Sequence, residues 1–586
     1  MLGYYQAELT HLRGEGAEFA RRYPRVARRL ELSADESPDP HVERLIESFA
    51  FLTSRIQRQL DDEFPDAAAG LLGVLYPHFT APIPSTSVAR FDVAKGKGKL
   101  TQGHEIARGT ALYARTADDL TCRFQTCYPV TLWPLRVTYA GIESPAQVAV
   151  PRGTSSILRI RLQGWGDPLE KLESLRFYLS GELRSAAALY ELLFAQAGAV
   201  FVRNSADGEL IPLPEDSLRP VGFGRDEAVL AAPDHAHPAY RLLQEYFAAP
   251  HKFLFADFAN LEPVKHAGEW EIIVALRGSV PEWLRVTADS LHLGCTPIVN
   301  LFKRITEPIR LDHRRSEYAL IPDVRRPKTT EVHTIVKVSS SADPKKEAGI
   351  YHPLYSFAHG QEAHAYWHSR RVPTPRTDVQ GTDVLLSFVD LNFDSALPAE
   401  RTVWAHTLCT NRGLAEQVGV GAVLQIEEAA PQYDIHMLHR PTQQIDPPLA
   451  GATLWRLLSQ LSVNHLSLDG PAGVAALREI LRLYGAFGSP GSEQQADGLV
   501  GIHCKHVVRR AGVGEWRGMC RGTEVTLTFD ETFFAGTRAF LLASVLRHFL
   551  ALYASINSFT QTVARGTASD AEWKRWPPLT GEQTVL

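Results

Sequence analysis

The stretch that decides the fold of the N-terminal region is DPHVERLIESFAFLTSRIQRQLDDEFPDAAAGLLGVLYPHFTAPIPS, residues 39–85. Apolar residues, with the half-apolar Thr53 among them, recur in its first half at steps of three and four: Val42, Leu45, Ile46, Phe49, Thr53, Ile56 and Leu60. This spacing places them on one face of a helix. Asp39 is a favourable helix cap, and Pro40 fits the first helical position, where no backbone N–H is needed. The pattern predicts an amphipathic helix that begins next to Asp39.

The residues before this helix also have a helical pattern. Mostly apolar residues recur here at alternating steps of four and three, which is the heptad pattern that forms an apolar seam along a helix. They are Tyr5, Leu9, Leu12, Gly16, Phe19, Tyr23, Val26 and Leu30. Pro24 does not fit a helix interior, so it is predicted to begin a second helix. Helices this short are marginal alone in water, so the seam needs a cover. We expect residues 1–84 to form a helical, bundle-forming arm.

The first 60 residues of the arm are expected to dock with a partner, because a narrow apolar stripe is typical of contacts between helices of different chains. The alternative is that the arm folds back on the β-rich part of its own chain. The expected interface residues are Tyr5, Leu9, Leu12, Phe19, Leu45, Phe49 and Ile56.

Length and composition bound the class of protein. A chain of 586 residues exceeds what one hydrophobic core organises, so three or four domains are expected. With 61 basic and 66 acidic residues the net charge is −5. This nearly balanced charge provides no positive electrostatic field that would attract nucleic acid or an anionic membrane. The N-terminal residues do not show the apolar core that a secretory signal needs. The six cysteines form no CxxC pair, and this pattern is typical of reduced thiols in the cytosol.

The rest of the chain alternates between strand-rich and mixed patterns. Residues 85–265 are predicted to form a β-rich domain with short helices. Residues 266–445 are predicted to form further β-sandwich or barrel-like modules. Residues 446–586 are predicted to be a mixed α+β domain with a long apolar helix and a loose tail. The expected fold class is therefore α+β and multidomain.

The apolar helix is predicted over residues 538–559. Charged and polar residues, among them Arg547, interrupt its apolar run, so burial in protein is expected rather than a membrane span. A helix that is apolar most of the way round needs cover on two sides. Part of this cover is expected from a second copy or another subunit, at Leu546 and Phe549.

Two segments contain residue types that bind metals. HGQEAH at residues 359–364 has the spacing HxxExH, whereas zinc hydrolases use HExxH or HxxEH. In HCKH at residues 503–506, strand alternation would place Cys504 opposite His503. A solvated loop and an ordinary strand are favoured, and no catalytic, cofactor-binding or metal residue is predicted. The alternative that stays open is a metal-dependent hydrolase centred on HGQEAH.

A segment of helical spacing, YRLLQEYF, covers residues 240–247. Its apolar and aromatic residues are predicted to be core. Arg241, Gln244 and Glu245 fall on the other side of the helix, where we expect surface or partner contacts.

Short motifs occur in a fixed order along nearly the whole chain. They include Tyr76-Pro77-His78, Pro82-Ile83-Pro84-Ser85, Trp133-Pro134-Leu135, residues 240–247, Lys252-Phe253-Leu254-Phe255, Cys295-Thr296-Pro297, Cys409-Thr410-Asn411-Arg412 and Ser555-Ile556-Asn557-Ser558-Phe559. In this order they resemble the TssF family, also called VasA or ImpG, which are baseplate subunits of the bacterial type VI secretion system.

The resemblance implies a structural protein rather than an enzyme, without a cofactor. It implies a cytoplasmic wedge component, in a baseplate docked on the inner-membrane complex, that supports sheath assembly and contraction. Two copies would join one TssG-type subunit, with further contacts to TssK, to TssE and to the VgrG spike. Neither nucleic-acid binding nor direct membrane insertion is implied.

Overall fold

The computed structural model describes residues 2–29, 40–93, 103–165, 172–204, 208–233, 236–262, 268–311, 315–341, 349–354, 365–376, 378–390, 402–427, 433–449, 451–459, 469–488, 491–511, 518–551, 554, 558–568 and 571–581. Contacts divide the chain into two compact units. One comprises Met1–Leu75 and Pro448–Leu461, and the other comprises Tyr76–Pro447 and Ser462–Leu586.

The helices follow the sequence pattern closely at the N-terminus. A second helix begins at Pro24, and the long helix begins at Pro40, which confirms both predicted starts. The long helix extends past the predicted apolar stripe to Leu75. The helices, numbered in chain order, are α1 Leu2–Arg22, α2 Pro24–Arg29, α3 Pro40–Leu75, α4 Leu183–Glu191, α5 Pro238–Ala248, α6 Gly451–Ser459, α7 Gly470–Gly485, α8 Gln494–Asp497 and α9 Ala539–Ala551.

Strands dominate the larger unit, and the α+β multidomain class is confirmed. The strands are β1 Thr86–Asp92, β2 His104–Ile106, β3 Ala111–Arg115, β4 Thr121–Thr126, β5 Val130–Leu132, β6 Leu135–Glu143, β7 Ser156–Gly164, β8 Ser174–Leu179, β9 Ala197–Arg203, β10 Ile211–Pro212, β11 Leu218–Pro220, β12 Phe255–Ala259, β13 Glu269–Leu276, β14 Leu291–His292, β15 Cys295–Val299, β16 Phe302–Ile305, β17 Ile309–Arg310, β18 Tyr318–Ala319, β19 Glu331–Ser341, β20 Gly349–Pro353, β21 Ala365–Pro373, β22 Thr382–Asp390, β23 Thr402–Thr410, β24 Val423–Ile426, β25 Asp434–Met437, β26 Leu499–Ala511, β27 Gly518–Phe529, β28 Phe559–Gly566, β29 Glu572–Arg575 and β30 Leu579–Thr580.

Six strands of this unit form a closed barrel, in the order β1-β15-β4-β3-β24-β25. Its interior is filled by alternating apolar side chains, among them Phe91, Leu112, Phe124, Ile298 and Met437. The barrel draws strands from both ranges, 85–265 and 266–445, that the sequence pattern assigns to separate domains. The domain boundaries remain a prediction.

The larger unit contains further sheets. A five-stranded sheet has the order β10-β9-β13-β7-β6, and its central strand β13 is buried along nearly its whole length. The others are a four-stranded sheet β11-β12-β8-β14, an eight-stranded sheet β16-β23-β19-β20-β21-β22-β18 in which β17 also pairs with β23, the pair β2-β5, and a C-terminal sheet β26-β27-β28-β29 with β30 on β28.

The long apolar helix predicted over residues 538–559 is shorter than expected. It ends at Ala551, and Phe559 begins β28, which pairs in parallel with β27 from Gly522 to Phe529. A continuous apolar run suits a buried parallel strand as well as a helix, and here the β27 partner decides between them. Helix α9 is thus the crossover between two parallel strands. No helix in the described ranges has both the length and the apolar run that crossing a bilayer requires.

Candidate partner-binding surface

The smaller unit is built on the long helix α3. Helix α1 packs against its N-terminal part, and α6 packs against it from a distant part of the sequence. Arg13 on α1 donates two hydrogen bonds to Glu43 Oε1 on α3, with N···O distances of 3.1 Å from Nε and 2.5 Å from Nη2. Both side chains are partly buried, so this ion pair fixes the position of α1 on one face of α3.

Most of the buried side chains that the structure describes on α3 are small. Ala50, Ser54 and Ala68 are completely buried, as is Leu72 one turn further on. The Ser54 hydroxyl donates to the Phe51 carbonyl oxygen at 2.8 Å, so its polar atom has a partner inside the helix. Small side chains let neighbouring helices approach closely, but they bury little apolar area.

The opposite face of α3 carries large apolar side chains that are more than half exposed. Leu45, Phe49 and Leu52 follow one another at steps of four and three residues and are 69%, 61% and 55% exposed. We call these three residues the α3 stripe. A helix that served only its own bundle would turn these side chains inward and the small ones outward.

A second exposed apolar group lies at the junction of α1 and α2. Phe19, Tyr23 and Val26 have the same four-three spacing, and each is at least a third exposed. The rings of Phe19 and Tyr23 are in contact, with centroids 5.3 Å apart. On α6, Trp455 is also exposed.

The predicted interface residues whose side chains are described fall into three groups, which are exposed, half-buried and completely buried. Phe19, Leu45 and Phe49 are exposed. Tyr5, Leu9 and Leu12 are half-buried, and the side chain of Ile56 lies outside the described residues. The predicted set omitted Leu52, which the spacing from Leu45 and Phe49 would have included. It also omitted Trp455, for which the sequence gives no local signal because α6 is separated from α3 by almost four hundred residues.

Leu546 and Phe549 form the third group, and here the expectation of a partner needs correction. Both side chains are completely buried inside the chain's own fold. Helix α9 is in contact with α4, with α5 and with β28, so its own unit also supplies the part of the cover that was expected from a second copy or another subunit. These two residues are left out of the surface proposed below.

The segment at residues 240–247 forms helix α5, as predicted, but its polar side is not at the surface. Arg241, Gln244 and Glu245 are all buried. Glu245 forms an ion pair with Lys252, and its Oε1 accepts hydrogen bonds from the backbone N–H groups of Val229 at 2.8 Å and Leu230 at 2.9 Å. Burial lowers the pKa of Lys252, while the adjacent Glu245 carboxylate acts in the opposite direction. These polar groups are therefore parts of the core.

The side chains of the residue types that bind metals do not come together into a metal site within the described ranges. His503 and Cys504 lie next to each other on β26, and Cys504 donates its backbone N–H to Asp469 Oδ1 at 2.8 Å. No three His, Cys, Asp or Glu side chains of the described residues are placed to hold a metal ion. HGQEAH, residues 359–364, lies outside the described residues. All six cysteines are free, and burial raises the pKa of Cys122 to about 12.

Known proteins are similar to this chain over nearly its whole length. The sequence profile of the family described as Type VI secretion system, TssF matches residues 1–583. Over 621 aligned positions the chain is 39% identical to the type VI secretion system component TssF1 of Pseudomonas aeruginosa, with 100% of this chain and 99% of that protein covered.

Two solved structures contain chains of similar fold. One is the type VI secretion system TssK-TssF-TssG baseplate subcomplex determined by cryo-electron microscopy, with 25% identity, a TM-score of 0.75, and coverage of 93% of this chain and 99% of that chain. The other is the baseplate complex from the type VI secretion system, with 23% identity, a TM-score of 0.59 and full coverage of both chains, a likeness of fold alone. The family match over nearly the whole chain and the full-length relative together show that this chain belongs to the TssF family of the type VI secretion system.

Proposed function

We propose that the chain is a structural subunit of the type VI secretion baseplate, one that binds its partners through surface contacts and performs no bond chemistry. Membership of the TssF family supports this role, as does the similarity of fold to a chain of a TssK-TssF-TssG baseplate subcomplex. The observation that carries the proposal is the α3 stripe, three large apolar side chains exposed in a row on one helix.

The α3 stripe is suited to bind the helix of another chain. Contiguous exposed apolar surface is unusual on a protein that acts alone and marks interaction sites. Covering each of these partly exposed side chains would contribute about 1–2 kcal/mol of binding free energy. The spacing of four and three residues fits the ridge of a partner helix, which would lie along α3.

A TssG-type subunit is the partner that we assign to this stripe, with two copies of the present chain for each TssG-type subunit. Tyr5, Leu9, Leu12, Phe19 and Ile56 would extend the contact along the arm. Further contacts in the same assembly would be made with TssK-type and TssE-type subunits and with the VgrG spike at its centre.

The mechanism we propose is mechanical. The subunit would hold the platform of the sheath in one geometry and release it in another, which is a change between two packing arrangements of subunit interfaces. It would act in the cytoplasm, in a baseplate docked on the inner-membrane complex.

Co-expression with the TssG-type and TssK-type subunits of the same organism tests this function. Native mass spectrometry of the purified assembly should give a complex with two copies of this chain and one TssG-type subunit. If the chain purifies without a TssG-type subunit under all conditions in which both are soluble, the proposed function is wrong.

A further inference from the structure

A groove of about 610 Å³ in the larger unit contains a cluster of arginines. It lies between β4 of the barrel, β16 of the eight-stranded sheet and the loop before β19. Four arginines line it, together with the carboxylates of Glu307 and Asp323 and with Phe302 and Asn411; the arginines are Arg123, Arg304, Arg325 and Arg326. We call it the arginine groove.

The walls of the groove are fixed by Asn411. Its Oδ1 accepts hydrogen bonds from the backbone N–H of Arg123 and from Asn300 Nδ2, both at 2.9 Å. Its Nδ2 donates to the Thr329 carbonyl oxygen at 3.1 Å. Since one side chain joins the barrel, the sheet and the loop, the groove exists in the folded chain before any ligand arrives.

Asp323 holds the loop and leaves two arginines without a carboxylate. Its Oδ2 accepts from Arg304 Nη2 at 2.6 Å, and its Oδ1 accepts from the backbone N–H groups of Arg325 at 2.9 Å and Arg326 at 3.2 Å. Arg123 pairs with Glu427 at 3.2 Å. Among the residues that the structure describes, no carboxylate forms an ion pair with the side chain of Arg325 or Arg326.

The local charge differs from that of the whole chain. Residues 302–330 contain eight Lys or Arg and four Asp or Glu, whereas the complete sequence has 61 basic and 66 acidic residues. This segment is therefore a cationic region on a chain whose net charge is −5. It favours an anionic ligand.

Exposed aliphatic residues lie close to these arginines in the sequence. Ile305, Ile321 and Val324 are each at least 40% exposed. The backbone N–H of Glu307 donates to the Ile321 carbonyl oxygen at 2.8 Å, so the segments that carry these residues run side by side. A nucleic acid would gain little from aliphatic contacts, since it is recognised through phosphates and by stacking on aromatic rings. A protein segment gains from both features.

We propose that the arginine groove binds an acidic, amphipathic segment of a partner protein. Carboxylates of that segment pair with the guanidinium groups of Arg325 and Arg326, which offer planar pairs of donors. Its aliphatic face packs on Ile321 and Val324, on the loop that carries Arg325 and Arg326. This surface belongs to the larger unit and shares no residue with the α3 stripe.

Fluorescence anisotropy with the purified full chain tests the inference. The probe is a fluorescein-labelled peptide that repeats Glu-Leu-Leu-Glu, and the comparison ligands are the same peptide with Gln for Glu and single-stranded oligo-dT. The variant is Arg325→Glu with Arg326→Glu. Its matched control is Arg152→Glu with Arg285→Glu, which makes the same charge change at two exposed arginines outside the groove.

The acidic peptide should bind the parent chain and the control equally and bind the groove variant at least about tenfold more weakly, because the charge-assisted hydrogen bonds are replaced by repulsion. Added salt should weaken binding. Circular dichroism identical to that of the parent excludes misfolding of the variant. The inference is overturned if the parent chain does not bind the acidic peptide, if the Gln peptide binds equally well, if both double variants lose binding equally, or if oligo-dT binds more tightly than the peptide.

Discussion

Glu245 on α5 and Lys252 in the turn that follows it form an ion pair from which solvent is excluded, since neither side chain is more than 1% exposed. The pair belongs to the motif-rich segment of residues 240–255, and it connects α5 to the loop at Val229 and Leu230 through the second oxygen of Glu245. Removal of one member of such a pair leaves an uncompensated charge in the core.

Lys252→Met should therefore destabilise the larger unit by about 3–5 kcal/mol, as measured by native-state hydrogen exchange of the α5 amides. Addition of Glu245→Gln to this variant should recover part of the loss, because the buried charge is then removed. The control is Arg219→Met, which breaks the exposed pair with Asp216 and should cost less than about 1 kcal/mol. Equal effects of Lys252→Met and Arg219→Met would show that the buried pair has no special role.

A charge at position 546 should not be tolerated. Leu546 lies on α9 and is completely buried, so Leu546→Asp places a carboxylate in an apolar core and should cost several kcal/mol, on the order of the penalty for burying an unpaired polar group. We expect loss of soluble protein or a large fall in the thermal midpoint. Leu546→Met, which conserves volume and polarity, should cost less than about 1.5 kcal/mol. A well-folded Leu546→Asp protein of normal thermal midpoint would contradict the burial of α9.

Stability should fall in mild acid because of a buried histidine. Burial lowers the pKa of His333 to about 3, with a smaller contribution from the Arg371 charge. Between the ordinary histidine value of 6.5 and about 3, the unfolded chain binds a proton that the folded chain does not. The free energy of unfolding therefore decreases as pH falls through this window, by about 1.4 kcal/mol per pH unit for this residue.

Urea unfolding at a series of pH values checks this slope. His333→Asn should reduce the dependence on pH between 6.5 and 5, whatever its effect on stability at pH 7. The control His503→Asn changes an exposed histidine and should leave the slope as it is. An unchanged slope in His333→Asn would mean that this histidine is protonated in the folded chain as readily as in the unfolded one.

The HGQEAH segment should be dispensable. Alanine at His359, Glu362 and His364 together should leave secretion by the system near normal, because the sequence predicts a polar loop whose residues would contribute little to stability, and because the proposed function needs no catalytic group. Secretion of a marker protein from cells that carry the triple variant measures this. A complete loss of secretion with a normal amount of folded protein would favour the hydrolase alternative.

Local patterns predicted the helices of the arm because the signals are contained within a few turns. Pro24 and Pro40 begin helices, and the recurrence of Leu45 and Phe49 marks one face of α3. The same pattern does not say which face is covered. That depends on α1 and on the distant α6, which both pack on α3 and leave Leu45 and Phe49 more than half exposed.

Long-range pairing explains what the sequence did not predict. The barrel joins β1 to β15 and β25, which are about two hundred and more than three hundred residues away, whereas strand alternation is a local property. The apolar run after Arg538 was predicted to be one helix. Its division into α9 and β28 depends on the pairing of β28 with β27, which the local pattern does not show. Glu245 looked like a surface residue because its partner Lys252 lies beyond the end of the helix.

The most direct test of the central claim is the effect of the α3 stripe on assembly. Leu45→Glu with Phe49→Glu should leave the chain folded, because both side chains are already exposed, but should abolish co-purification with the TssG-type subunit. The control is Val336→Glu with Val420→Glu, which makes the same type of change at two exposed residues of the larger unit and should not affect the complex. Native mass spectrometry of both co-expressed samples gives the result. Loss of the complex in the stripe variant alone is the predicted outcome, whereas a stripe variant that still assembles with normal stoichiometry would contradict the account.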